Sequence, residues 1–148
     1  MKYRTFAAMI GTSTLVMYGL MYLNTYRWSD VLFSETRVYM ALLMGAVMAV
    51  IMLSFMLGMY KNRHRNVAIY LGSGAVFVLS LWLVRSQATI QDVSWMRAMI
   101  PHHSIAILTS ERAHLSDSRV RDLAARIART QREEIIEMKR LIQDLQAR

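Results

Sequence analysis

Three long apolar runs without charged side chains fill most of the first half of the chain, at residues 6–23, 38–60 and 67–84. The second run has 23 residues, and a helix of that length spans about 34 Å at about 1.5 Å per residue. The hydrocarbon core of a bilayer is about 30 Å thick. Because lipid offers no hydrogen-bond partners, the backbone of such runs must bond internally as helix. The sequence therefore predicts three transmembrane helices, with the lipid bilayer as a first partner.

The positions of basic residues predict how these helices are oriented. The link between the second and third runs carries Lys61, Arg63 and Arg65, and the N-terminus carries Lys2 and Arg4. Basic loops stay on the cytoplasmic side. The first run lacks the small-residue pattern of a signal-peptide cleavage site and is therefore counted as a crossing. We expect a multi-pass protein of a bacterial inner membrane, with a cytoplasmic N-terminus and a periplasmic or extracellular C-terminal segment.

Charge is distributed unevenly and divides the chain near Arg85. Residues 1–84 hold nine charged side chains, whereas residues 85–148 hold nineteen in a helical pattern. We therefore expect a membrane anchor at residues 1–85 and a second domain at residues 86–148. The net charge of +8 is spread over loops and a helix face of mixed charge, so nucleic acid is not an expected partner. The chain has no cysteine, so any soft-metal ligand must be methionine or histidine.

Methionine recurs every four residues along the second run. The row consists of Met40, Met44, Met48, Met52 and Met56. Thioethers bind monovalent copper and silver, so the row would suit a relay for such an ion. Rows of this spacing are also the ridges by which helices pack, and the neighbouring Gly45, Ala46 and Ala49 suit close packing. The sequence leaves both interpretations open.

After the third run the apolar residues adopt the spacing of amphipathic helices. Steps of three and four predict a helix over about residues 90–115, and Ser116, Asp117 and Ser118 then supply turn and N-cap residues. A second helix is predicted over about residues 119–146, antiparallel to the first. Its predicted seam consists of Val120, Ala124, Ile127, Gln131, Glu134, Met138, Leu141 and Leu145.

Two polar residues, Gln131 and Glu134, interrupt this seam. A buried carboxylate without a partner is costly, so Glu134 is expected to meet a cation, a hydrogen-bond donor or a metal-binding histidine. In the folded hairpin we expect His103 to face Gln131 and Ile100 to face Glu134. A polar pair that fixes the register of a coiled coil is the alternative.

Five soft donors are predicted to converge near these polar residues. They are Met96, Met99, His102, His103 and Met138. Thioethers favour monovalent copper or silver, and imidazole accepts copper in either oxidation state. Glu134, with Gln131 beside it, would hold a histidine tautomer from outside the coordination sphere. Pro101 is expected to kink the helix. The alternative is a core whose polar residues specify the fold.

The segment Met96-Arg97-Ala98-Met99-Ile100-Pro101-His102-His103, followed by Ala106-Ile107, resembles the hallmark of the family catalogued as domain of unknown function 305. The segment Gln131-Arg132-Glu133-Glu134-Ile135-Ile136-Glu137-Met138 resembles that family's second helix, so the resemblance covers about residues 91–146. It implies a ferritin-like helical bundle, in a family that is often exported and includes periplasmic copper-binding proteins. It also implies the same five Met and His residues as ligands. Thr109 stands where the family often has methionine, and Leu141 where it commonly has an aromatic residue.

Fuller members of that family carry two copies of the hairpin, whereas this chain has one. Two helices bury too little surface to be stable alone. We therefore expect a homo-oligomer in which hairpins of two or more chains complete a four-helix bundle outside the membrane. The expected fold is all-α, with three transmembrane helices followed by an extramembrane antiparallel hairpin.

Two functions of different classes fit these patterns. The first is a membrane-anchored protein that binds copper or silver for tolerance or trafficking at the periplasmic face and hands ions to a membrane protein partner. The second is an assembly protein whose hairpin drives oligomerisation or recruits a partner. Glu111 and His114 have the spacing of a di-iron motif. No second carboxylate is expected beside them, so no enzyme activity is predicted.

Overall fold

The computed structural model describes residues 2–147 and is all-α, as predicted. Met1 and Arg148, which end the two predicted domains, lie outside the described residues. Within residues 2–147 there are five α-helices and no β-strand. The helices are α1 (Tyr3–Leu20), α2 (Glu35–Phe55), α3 (Arg63–Ser86), α4 (Asp92–Arg112) and α5 (Ser118–Gln146). A short 3₁₀ turn, Trp28–Asp30, lies in the link between α1 and α2.

Of the helices in the described part of the chain, two, α2 and α3, are long and apolar enough to cross a membrane, whereas the sequence predicted three crossings. The helix α1 occupies most of the first apolar run, but its 18 residues also include Arg4 and the three hydroxyl residues at 12–14. These polar groups lower its average apolarity. On α2 and α3, the apolar side chains of Phe55 and Leu71 are 88% and 71% exposed. Outward-facing apolar side chains of this kind suit contact with lipid better than contact with water.

The described chain forms two compact units, of which the first holds residues 1–21 and 36–89. Small residues of α2, Gly45, Ala46 and Ala49, are buried in this unit, in the positions expected for close packing. The five methionines of the α2 row are half-buried. Two of them, Met52 and Met56, pack against a core that includes Phe6 and Leu53. These contacts favour a packing role for the row.

Close packing at Gly45 gives a testable prediction. A β-carbon placed on Gly45 would lie 2.4 Å from Oγ1 of Thr14, too close for two non-bonded atoms. We expect Gly45→Ala to destabilise the first unit by about 2 kcal/mol through overpacking. Thermal unfolding of the full chain in mild detergent measures the effect. Thr14→Ala combined with Gly45→Ala should recover most of the loss, because the clashing oxygen is then gone.

The control for this prediction is Gly72→Ala. Apart from the neighbouring backbone of its own helix, no atom lies within 4 Å of a β-carbon built on Gly72. Alanine is the better helix former, so this variant should be neutral or slightly stabilising. Equal melting temperatures for Gly45→Ala and Gly72→Ala would contradict the packing that we describe.

The second unit holds residues 22–35 and 90–148. The link between α1 and α2, which the sequence placed with the membrane anchor, thus belongs with the C-terminal hairpin. The helix α4 continues through Pro101, which is fully buried. After α4 ends, Asp117 caps α5 by accepting a hydrogen bond from the backbone N–H of Arg119 at 2.8 Å. The turn residues predicted from the sequence therefore separate the two helices.

The two hairpin helices pack through a stripe that differs from the predicted seam. The buried residues of α5 are Ala124, Ala128, Ile135, Met138 and Ile142. Of the predicted seam, only Ala124 and Met138 are in this set. Its large apolar members Val120, Ile127, Leu141 and Leu145 are 38–44% exposed. The prediction was wrong for these four because the apolar face of α5 is wide, and α4 covers only one edge of it.

Candidate functional site

The methionines of the hairpin lie in its core. Met96 on α4 and Met138 on α5 are 5% and 6% exposed, and both belong to one cluster of buried residues. The rest of this cluster is isoleucine at positions 100, 107, 135 and 142. Met99, about one helical turn from Met96, packs against it. The structure thus brings three thioethers from both helices into one apolar region.

His103 lies beside this cluster with both ring nitrogens in contact with protein oxygens. Its Nδ1 is 2.9 Å from the carbonyl oxygen of Met99, and its Nε2 is 2.8 Å from Oε2 of Glu134. The amide of Gln131 donates to the same Oε2 at 3.1 Å. The expected partner of Glu134 included a histidine, and His103 fills that place. Gln131, which was expected to face His103, instead reaches it through the shared carboxylate.

This arrangement defines how His103 could take part in a metal site. Glu134 fixes the ring through Nε2, which is the way carboxylates commonly orient a metal-bound histidine. The nitrogen left for an ion is then Nδ1, which in this structure contacts the carbonyl of Met99. A ligand role for His103 therefore requires that this contact be given up.

His102 is separated from the other candidates. Its side chain is exposed, whereas His103 is 8% exposed. The two rings are 6.2 Å apart, centroid to centroid, and inclined by 68°. The structure therefore gathers Met96, Met99, Met138 and His103 and leaves His102 on the surface of α4. Within residues 2–147, no three His, Cys, Asp or Glu side chains lie close enough to hold a metal ion.

A family model matches the part of the chain that holds this geometry. Residues 87–148 match Domain of unknown function (DUF305). The resemblance predicted over about residues 91–146 is thereby confirmed for this segment, which is less than half of the chain. The DUF305 segment contains all of α4 and α5 and every predicted metal ligand.

One curated relative also matches part of the chain. Uncharacterized protein L153 of Acanthamoeba polyphaga mimivirus is 34% identical over 71 residues, which are 47% of this chain and 47% of that protein. The chain therefore spans about half the length of this relative, whose name assigns it no activity. No solved structure matches the chain.

A buried polar group joins the link before α2 to the DUF305 segment. Asp30 is 3% exposed and accepts hydrogen bonds from Oγ of Ser104 at 2.9 Å and from Nζ of Lys139 at 2.5 Å. Ser104 in turn accepts a hydrogen bond from the backbone N–H of Tyr26 at 3.0 Å. Ser104 follows the histidine pair directly, so this network fixes α4 next to His103.

Sequence reasoning missed this network. No role was assigned to Asp30 from the sequence. An isolated aspartate between two apolar runs has no periodicity from which burial could be inferred. The one available signal was Ser104, a polar residue on the apolar side of α4, which needs a partner when buried.

The Glu111 and His114 pair does not form a metal-binding motif on a helix. The helix α4 ends at Arg112, so His114 lies beyond it. The Glu111 carboxylate forms an ion pair with Arg132 of α5. Hydrogen bonding from Arg132 lowers the pKa of Glu111 below its ordinary value of 4.5. Oε1 of Glu111 is thus engaged by a cation of the protein itself.

Proposed function

We propose that this chain is a membrane-anchored, non-enzymatic protein whose DUF305 segment binds a monovalent copper or silver ion. The observation that carries the proposal is the burial of Met96 and Met138, from opposite helices, in one cluster with Met99 against it. Thioethers are neutral, soft donors, and a dry apolar site of this kind suits a soft monovalent ion better than a hard divalent one. The donor set therefore fits the ion that the sequence predicted.

Each residue has a distinct role in this proposal. Met96, Met99 and Met138 supply sulfur, and His103 supplies Nδ1. Glu134 and Gln131 hold the His103 ring in place by their contacts around Nε2. His102 stays a candidate ligand at the exposed edge of α4. The bound ion would be stored or passed to another protein, and no chemical reaction would take place at the site.

The membrane placement completes the proposal. The apolar helices α2 and α3 would cross a bacterial inner membrane. The helix α1 would also cross, although its polar residues make it less apolar than the other two. The basic link at residues 61–66 would be cytoplasmic, which puts the hairpin at the periplasmic face. At that face the protein would serve copper or silver tolerance or trafficking and pass ions to a membrane protein partner.

A competition titration tests the metal proposal. The full chain in mild detergent, kept free of oxygen, is titrated with monovalent copper against a chromophoric chelator. We expect stoichiometric binding by the wild type. Met96→Leu combined with Met138→Leu should weaken it by more than about tenfold, because it removes two sulfur ligands while nearly conserving core volume.

The matched control changes two methionines outside both the hairpin and the α2 row. Met9→Leu combined with Met17→Leu in α1 should leave copper affinity unchanged. Absence of stoichiometric binding by the wild type, or equal affinities in the wild type and the hairpin variant, would refute the metal proposal.

A second candidate function, assembly of membrane proteins through the hairpin, is favoured by one separate observation. The edge of α5 that α4 does not cover carries several half-exposed apolar side chains. Exposed apolar stripes on amphipathic helices are typical of surfaces that bind another helix.

A further inference from the structure

The helix α5 carries an open apolar stripe beside the face that α4 covers. The stripe consists of Val120, Leu123, Ile127, Leu141 and Leu145, which are 38–48% exposed. Glu134 lies in its middle, so the large apolar residues fall into two groups toward the two ends of the helix. An antiparallel pair of α5 helices centred near Arg132 would place Val120 of one copy opposite Leu145 of the other. It would also place Leu123 opposite Leu141.

The hairpin is covered on one side and open on the other. On the covered side, Asp30 from the preceding link contacts both helices, through Ser104 of α4 and Lys139 of α5. The open apolar stripe lies on the side of α5 away from Lys139, as helical spacing shows. On α4, Trp95 is 50% exposed and, by the same spacing, lies on the open side.

Charged residues along the open stripe are arranged to match a second copy in antiparallel orientation. Arg119, Arg126, Glu137 and Asp144 are separated by seven, eleven and seven residues. Spacings of seven and eleven keep side chains within about 20° of one another around a helix. All four therefore lie along one flank, with both arginines in the first half and both acids in the second half.

Symmetry makes this flank self-complementary in only one direction. In an antiparallel pair related by a two-fold axis, the same flanks of the two helices face each other. Arg126 of one copy then lies opposite Glu137 of the other, and Arg119 lies opposite Asp144. In a parallel pair the same flanks would lie on opposite sides of the interface, so these arginines and acids would not meet one another. Among the described residues, the side chains of Arg126, Glu137 and Asp144 form no hydrogen bond or ion pair, whereas the Arg119 side chain pairs with Asp117.

We propose that α5 pairs with α5 of a second copy of this chain, antiparallel and centred near Arg132. The two hairpins then form a four-helix bundle in which the open stripes are buried and the flanking arginines meet the flanking acids. This pairing rests on the second candidate function, assembly, and does not require a bound metal ion.

Charge exchange across the interface tests the pairing. Sedimentation of the full chain in mild detergent should show a dimer. Arg126→Glu should weaken the dimer by about tenfold, because two symmetry-related attractions become repulsions. Glu137→Arg should weaken it to a similar degree, and the two changes combined should restore wild-type affinity. The control is Arg129→Glu, the same charge reversal at an exposed residue that helical spacing puts away from both the stripe and the charged flank, and it should leave the dimer unchanged.

Cysteine cross-linking fixes the direction of the pair, since the natural chain has no cysteine. An equal mixture of Val120→Cys and Leu145→Cys chains should form a disulfide-linked heterodimer on oxidation, whereas neither variant alone should cross-link. Efficient cross-linking of Val120→Cys alone would overturn the antiparallel pairing.

The sedimentation outcomes separate the two levels of this inference. A wild-type monomer would refute both the pairing and self-assembly. A dimer that Arg126→Glu and Glu137→Arg leave unaffected, or that their combination fails to restore, would refute the antiparallel α5 pairing while self-assembly stands.

Discussion

Replacing Asp30 with alanine is expected to destabilise the C-terminal unit by about 3 kcal/mol. The carboxylate is buried, and its removal leaves Nζ of Lys139 and Oγ of Ser104 without their acceptor. Removing one partner of a buried pair usually costs more stability than the intact pair contributes. Lys139 is 35% exposed, so its ammonium can still reach water. For this reason we expect a smaller loss of stability than for a fully buried pair.

Two measurements on the full chain in detergent check this result. Denaturant unfolding gives the loss of stability, and hydrogen exchange should show faster exchange at the Tyr26 amide, which donates to Ser104. Asp122→Ala, a change at an exposed position on α5, is the control and should alter neither measurement by much. Unchanged exchange at Tyr26 in the Asp30 variant would mean that the carboxylate does not hold the link in place.

Truncation of Ile100 to alanine is expected to cost about 3–4 kcal/mol. Ile100 is fully buried, in the same cluster as Met96 and Met138, so the change leaves a cavity beneath the thioethers. Ile136→Ala on α5 removes the same atoms from a side chain that is 69% exposed. It should cost less than about 1 kcal/mol. Similar losses for the two variants, measured by denaturant unfolding, would contradict the core that we describe.

The hairpin could be predicted from sequence because its signals are local. Steps of three and four residues locate both helices, and Ser116, Asp117 and Ser118 mark the turn that the structure has there. Residues 87–148 match the DUF305 model, and this range contains both segments on which the resemblance was predicted. Each of these features lies within a few consecutive turns of helix.

The exact contact face of α5 could not be predicted, for a physical reason. Periodicity shows that one wide face of α5 is apolar, but it does not show which edge of that face α4 covers. Ala124 and Ala128 are small, so α4 can approach closely there, and Ile127 between them remains 38% exposed. Which edge of the apolar face of α5 contacts α4 depends on how the side chains of both helices fit together.

The site was predicted in its composition and only partly in its arrangement. Glu134 was expected to need a donor or histidine partner because a buried carboxylate is costly. The histidine partner is present, but the Glu134 side chain is 44% exposed, so burial is not the reason for the contact. The adjacent His102 and His103 differ in burial because neighbouring residues point about 100° apart around a helix. Asp30 lies 74 residues before Ser104 in the chain, and contacts at such a distance leave no mark in a local pattern.

The metal claim is tested most directly by X-ray absorption at the copper edge. The full chain in detergent is loaded with one equivalent of monovalent copper, and the atoms that coordinate the ion are identified by their scattering. The account predicts sulfur in the coordination sphere, lost in Met96→Leu combined with Met138→Leu and kept in Met9→Leu combined with Met17→Leu. A coordination sphere of nitrogen and oxygen alone in the wild type would contradict it.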